Sequence, residues 1–273
     1  MAAKKARKPI NKKKPAGKSV QTLEFPKAGI TIMLVTSIAL VYLFLSNGAP
    51  YPPEEAIWSG ALSAYTLPWG LVTYIFMHVG ISHLLENLAG LAIFCFIAET
   101  VLSKKDALSI FFLSGIVGGI AFLITTPKMR LVGASAAIVG LATASVLADP
   151  KKGLVALVIA VLAVNYAMPF AADYISTQVN SNLEQQKAAA ENTAKQYIEQ
   201  NQTERAIVQE EVANRTAVEI AVQVEGKQRE QQAGTADAAH VAGAIVGALY
   251  VLVFRRAKIY SWASKAKEFV AVK

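Results

Sequence analysis

The chain has 273 residues, of which 54% are hydrophobic and 17% charged, and its mean hydropathy is +0.39. That balance excludes an ordinary soluble globule and leaves a membrane protein as the class. The formal net charge of +8 sits mostly in the tails and its basic residues are not interleaved with aromatics, so no nucleic-acid partner is expected.

Residues 1–27 carry nine Lys or Arg and no apolar run leading to a small-residue cleavage site, so they read as a retained basic tail held near an anionic membrane face. A first apolar segment, 28–46, has no charge and is long enough to span, since a hydrocarbon core of roughly 30 Å takes about 20 helical residues. The loop 47–82 sets Trp58, Tyr65, Trp69 and Tyr74 among small and apolar residues. Aromatics of this kind sit at headgroup level, and the loop reads as a partly embedded hairpin. Apolar segments at 84–102, 107–125, 133–147 and 153–172 follow, completing a membrane core over 28–172. Residues 173–237 then form a polar insert rich in Ala, Gln and Glu. Composition favours helix there, whereas Val218, Ile220, Val222 and Val224 alternate as a strand would, and the two readings stay open. A last span, 238–254, precedes a basic tail, 255–273. The expected fold is an all-α membrane protein of six transmembrane helices with a polar, helical insert between the fifth and sixth.

Charge asymmetry orients it. With both termini in the cytoplasm, 19 of the 27 basic residues lie on the cytoplasmic side, while the short outer loops hold only Lys128 and Arg130. The insert falls outside. The expected location is a plasma membrane of prokaryotic type, with the lipid bilayer as surroundings and the oligomeric state left open. The single cysteine, Cys95, allows no disulfide and reads as a packing residue in mid-span.

Polar residues in lipid are costly unless paired, so those at the span ends carry the functional signal. His78 and His83 precede or open the second span, with Asn87 one turn beyond His83 on the same face. Ser135 opens the fourth and His240 the sixth. All five lie toward the outer leaflet, so residues of three helices meet at one depth. Gly243 and Gly247 follow His240 as a GxxxG face, and Gly133, Ala137, Gly140 and Ala144 form a small stripe on the fourth span. Two such faces favour close helix contact. Ser135 and His240 then meet, as the chemistry requires, because a serine hydroxyl is a poor nucleophile until an imidazole within about 3 Å takes its proton.

These residues resemble the rhomboid intramembrane serine proteases, over about Trp69 to Gly247 and leaving out the tails and insert. The likeness rests on His78, His83 and Asn87 in an HxxxxHxxxN pattern, on Ser135 in a GxS setting with Gly140 beyond, on AHxxGxxxG at Ala239–Gly247, and on Glu99. It implies a Ser135–His240 dyad without a third acid or any cofactor. By the same resemblance, the Ser135 N–H and the side chains of His83 and Asn87 hold the oxyanion, and His78 ties the loop to the helix. Substrates would be transmembrane segments with helix-breaking residues, cut near the outer leaflet. The chain departs from the family at Ala136, where Gly usually follows the nucleophile, so that an added methyl is expected to restrict substrate approach. It departs also at Val139, in place of an aromatic, and at Gly70, in place of the Arg of a Trp-Arg pair. The alternative is a non-proteolytic rhomboid-like binder of membrane helices. A transporter is disfavoured, since the only charges inside the spans, Glu86 and Glu99, lie near span ends.

Overall fold

The computed structural model describes residues 28–271, so the basic tail 1–27 lies outside the described residues. Eleven α-helices run in chain order among these: α1 Gly29–Ser46, α2 Glu54–Gly60, α3 Gly70–Thr73, α4 Ile81–Val101, α5 Lys104–Thr125, α6 Ser135–Ala148, α7 Pro150–Leu162, α8 Met168–Glu199, α9 Thr203–Gln232, α10 Asp237–Phe254 and α11 Arg256–Ala271. Among the described residues, five helical runs are long and apolar enough to cross a membrane, and α6, with 14 residues, is a shorter apolar helix. The fold is the expected all-α bundle.

Helix boundaries follow local chemistry where a cap is available. Ser103 accepts from the Asp106 N–H to open α5, and Asp149 accepts from the Lys152 N–H to open α7 with Pro150 in its first turn. Where no local cap exists, a distant carboxylate serves. Ala28 offers no side chain to α1, and Glu99 of α4 instead accepts from the Thr31 N–H at 2.6 Å and from its hydroxyl at 2.9 Å. This buried carboxylate joins α1 to α4 as well as satisfying an orphan donor. At the far end of the bundle, Asp106 of α5 accepts from Tyr250 Oη and from Arg255 Nε and Nη2 at 2.8 to 2.9 Å, fixing the end of α10 against the start of α5.

The core centres on α6, wrapped by α4, α5 and α10. Glycines permit the closest approach: a Cβ on Gly243 would collide with the Ala136 carbonyl, and one on Gly247 with the Gly140 carbonyl. Backbones therefore touch where α6 and α10 cross, at Ala136 and Gly140; of the expected α6 stripe only Gly140 is in this contact, since Ala137 faces Gly115 of α5 and Gly133 lies against His83. Many side chains of α7, such as Val155 and Val158, stay exposed, as a lipid-facing surface requires.

The insert is where the structure adds most. A π turn, Ala163–Ala167, carries α7 directly into α8, so Pro150–Glu199 is one helical run of 50 residues. At 1.5 Å per residue it is about 75 Å long, far beyond one bilayer. Its outer half pairs with α9 as an antiparallel hairpin turning at 200–202. Residues Val218 to Val224 lie within α9, which overturns the strand reading. The buried residues are instead Ala206, Ala213, Thr216, Gln223 and Gly226 on α9 and Ala172, Ser176, Ala190 and Ala194 on α8. Spacings of three and seven on α9, and of four and twice seven on α8, are those of a coiled coil with small knobs. The alternating valines are spread around the helix, with Val218 and Val224 exposed.

Candidate active site

The loop ahead of α6 is held from two sides. Leu62 and Leu131 exchange both backbone hydrogen bonds at 2.9 Å, and the Gly133 N–H donates to the Tyr74 carbonyl at 2.9 Å. Tyr74 is itself buried, its hydroxyl donating to the Gly115 carbonyl at 2.6 Å. Gly133 has φ of 105°, a left-handed conformation that a side chain would strain, and a Cβ there would stand 2.7 Å from His83 Nε2. Only glycine allows both the turn and the imidazole beside it.

Ser135 is the first residue of α6, so its N–H is among the four at a helix start without an intrahelical partner, at the positive end of the helix dipole. Its Oγ lies 2.7 Å from His240 Nε2, in the first turn of α10. For Nε2 to accept that hydroxyl proton, the neutral ring must carry its own proton on Nδ1. Serine and histidine, 105 positions apart in the chain, are thus in direct hydrogen-bond contact.

His83 and Asn87 form the opposite wall. The Asn87 amide donates to the His83 carbonyl at 2.8 Å, and its Nδ2 also lies 3.9 Å from where a Gly133 Cβ would be. His83 Nε2, Asn87 Nδ2 and the start of α6 therefore converge around Gly133. His78 is almost fully buried, with Nδ1 3.4 Å from the Phe76 carbonyl and its ring centroid 5.0 Å from that of His83. That position braces the loop against α4 from behind.

Two of the three departures acquire physical readings. Ala136 is buried, and its methyl faces Gly118 of α5, where a Cβ would come within 2.8 Å of it. The expectation that this methyl restricts substrate approach is therefore corrected: it fills the space that glycine at 118 leaves. Ala136→Gly is expected to lower stability by about 1 kcal/mol without raising turnover. Melting temperature and kcat at saturating substrate check this, and a clear rise in kcat would restore the steric reading. Gly70 has no room for a side chain, since a Cβ would stand 2.5 Å from Thr66 Oγ1. Thr66 pins the loop there, donating to the Ala61 carbonyl at 2.7 Å and accepting from the Ser63 N–H at 2.9 Å. Val139 is half-buried on α6, and nothing in the structure explains the absence of an aromatic.

Fold and site together define a polytopic helical membrane protein with a serine and a histidine paired at the heads of two abutting helices. Residues 66–186 match the family model described as the Rhomboid domain. The chain is 34% identical over 110 residues to the Bacillus subtilis (strain 168) protein named "Putative rhomboid protease YdcA". That stretch is 38% of this chain and 54% of the relative, so the chain spans about half the length of the curated relative it matches. No solved structure matches it. Ser135 lies inside the matched domain and His240 beyond it, on the far side of the hairpin.

Proposed function

We propose that the protein is a serine endopeptidase that cleaves transmembrane substrates near the outer leaflet through Ser135 and His240. The observation that carries this is the 2.7 Å contact between Ser135 Oγ and His240 Nε2 at a helix N-terminus lined by further donors. Ser135 Oγ attacks the scissile carbonyl carbon while its proton passes to His240 Nε2. The resulting oxyanion is met by the Ser135 N–H, His83 Nε2–H and Asn87 Nδ2–H, donors whose effect is greatest where charge develops. His240 returns the proton to the leaving amine, releasing one product and leaving an acyl-enzyme. Water, deprotonated by the same imidazole, then hydrolyses the ester. The residues that do this require no cofactor.

A fluorophosphonate probe is expected to label the purified protein at Ser135 and to lose that labelling in His240→Ala. Absence of labelling in a folded sample would favour a rhomboid-like protein that binds membrane helices without cutting them.

The same reading puts both termini in the cytoplasm of a prokaryotic cell and the hairpin outside. Ser181→Cys, on the exposed surface of α8, in a Cys95→Ala background, is expected to react with an impermeant thiol reagent in intact cells. Reaction only after lysis would reverse the orientation.

A further inference from the structure

The start of α4 lacks a cap of its own. Its N-cap is Gly80, which has no side chain to offer, and no acidic residue stands in the first turn. The missing acceptor comes from the end of the hairpin. Glu230 Oε1 of α9 accepts from the His83 backbone N–H at 2.7 Å, across 147 positions of sequence. The carboxylate also faces the Ser82 backbone N–H and the Tyr51 hydroxyl. Gly80 is what lets it in, since a Cβ there would stand 2.6 Å from the Glu230 carboxyl carbon.

The rest of the hairpin base touches the bundle elsewhere. Gln223 exchanges hydrogen bonds with the Tyr51 backbone, accepting from its N–H at 3.1 Å and donating to its carbonyl at 3.2 Å. Arg229 lies 3.7 Å from Glu54 of α2, and the Cβ that Gly226 lacks would strike the Tyr51 ring. These contacts dock the hairpin on the loop that follows α1. Glu230 alone among them reaches the residue whose imidazole stands at the nucleophile turn.

We infer that Glu230 is a positioning residue for the oxyanion wall: by capping the first turn of α4 from the hairpin, it fixes the backbone of His83 and with it the placement of Nε2 beside Gly133 and Ser135. This rests on the protease reading above. The hairpin thereby becomes part of the site's support. Burial pushes the Glu230 carboxyl above the ordinary carboxylate range, and the His83 N–H works against that by stabilising the anion. A buried acceptor in this position is kept by its partners, and the amide at the helix start is kept by the acceptor.

The test is a double-mutant cycle on the full-length protein with a transmembrane substrate. Glu230→Ala is expected to lower kcat roughly ten- to a hundredfold with KM little changed, because a displacement on the order of 1 Å at a reacting centre has that effect. In a His83→Ala background the same change is expected to have almost no further effect, since what it positions is gone. Glu230→Gln, which keeps an acceptor oxygen, should restore most of the rate. Gln223→Ala loosens the docking without touching α4 and should leave kcat within about twofold of wild type. Additive losses in the cycle, or an equal loss in Gln223→Ala, would overturn the inference while leaving Ser135-dependent cleavage intact. Amide hydrogen exchange gives a readout that needs no turnover: exchange at Ser82 and His83 should quicken in Glu230→Ala and not in Gln223→Ala. Unchanged exchange there would refute the cap even if the protein proved to have no protease activity.

Discussion

Ser135→Ala is expected to reduce cleavage of a model transmembrane substrate by roughly 10⁴-fold or more while leaving the bundle folded. The hydroxyl is the only atom lost, and its one side-chain bond is to His240. A hydrogen bond of that kind contributes about 1 kcal/mol to stability, so the melting temperature should move by only a few degrees. The rate, by contrast, depends on a covalent step that no neighbouring group can take over. His240→Ala should produce a loss of similar size, and the double variant should be no worse than either, because the two groups act as a unit. Cleavage assays in one detergent, with thermal unfolding alongside, separate the two effects. Near wild-type cleavage by Ser135→Ala would remove the nucleophile from the proposal and the protease reading with it.

The second large effect comes from a residue that never touches substrate. Gly247→Leu is expected to lower kcat at least about a hundredfold and to destabilise the bundle by about 1 to 3 kcal/mol or more. Seven residues separate Gly247 from His240, roughly 10 Å along α10, so the chemistry itself is untouched. What changes is the crossing. A side chain at 247 strikes the Gly140 backbone, and α10 must move away from α6, carrying the imidazole off Ser135 Oγ. Ile245→Leu, on the exposed side of the same helix, is the matched control and should behave as wild type. Full activity in Gly247→Leu would show that α6 and α10 can separate without breaking the dyad.

Much of this was legible from residue type and order. Span positions follow from apolar length, and the meeting of Ser135 with His240 follows from polar residues at helix heads combined with small-residue faces below them. What was not legible depends on partners far away in the chain. Glu230 looks like one acid among the many of the insert, and nothing near it in sequence indicates that Gly80 lacks a cap. Ala136 reads as an obstruction until Gly118 is seen across from it. The choice left open between helix and strand at Val218–Val224 has a related cause: the insert's buried faces are built of Ala, Ser, Thr, Gly and Gln, whose low hydrophobicity hides a period of seven, while the larger valines draw attention to a period of two. Continuity of α7 with α8 was hidden likewise, because composition changes from apolar to polar along a helix that does not stop.

The hairpin leaves the bundle and returns to it at nearly the same place, with Lys227 3.6 Å from Asp173 at its base. An excursion of this kind is geometrically detachable, since lengthening or shortening it asks for no rearrangement beneath. Adding or deleting seven residues in each arm would move the tip by about 10 Å and preserve the seam. Reach beyond the bundle is thus a dimension that evolution can adjust by whole repeats, like the length of a mast, with the rigging at the deck left as it was.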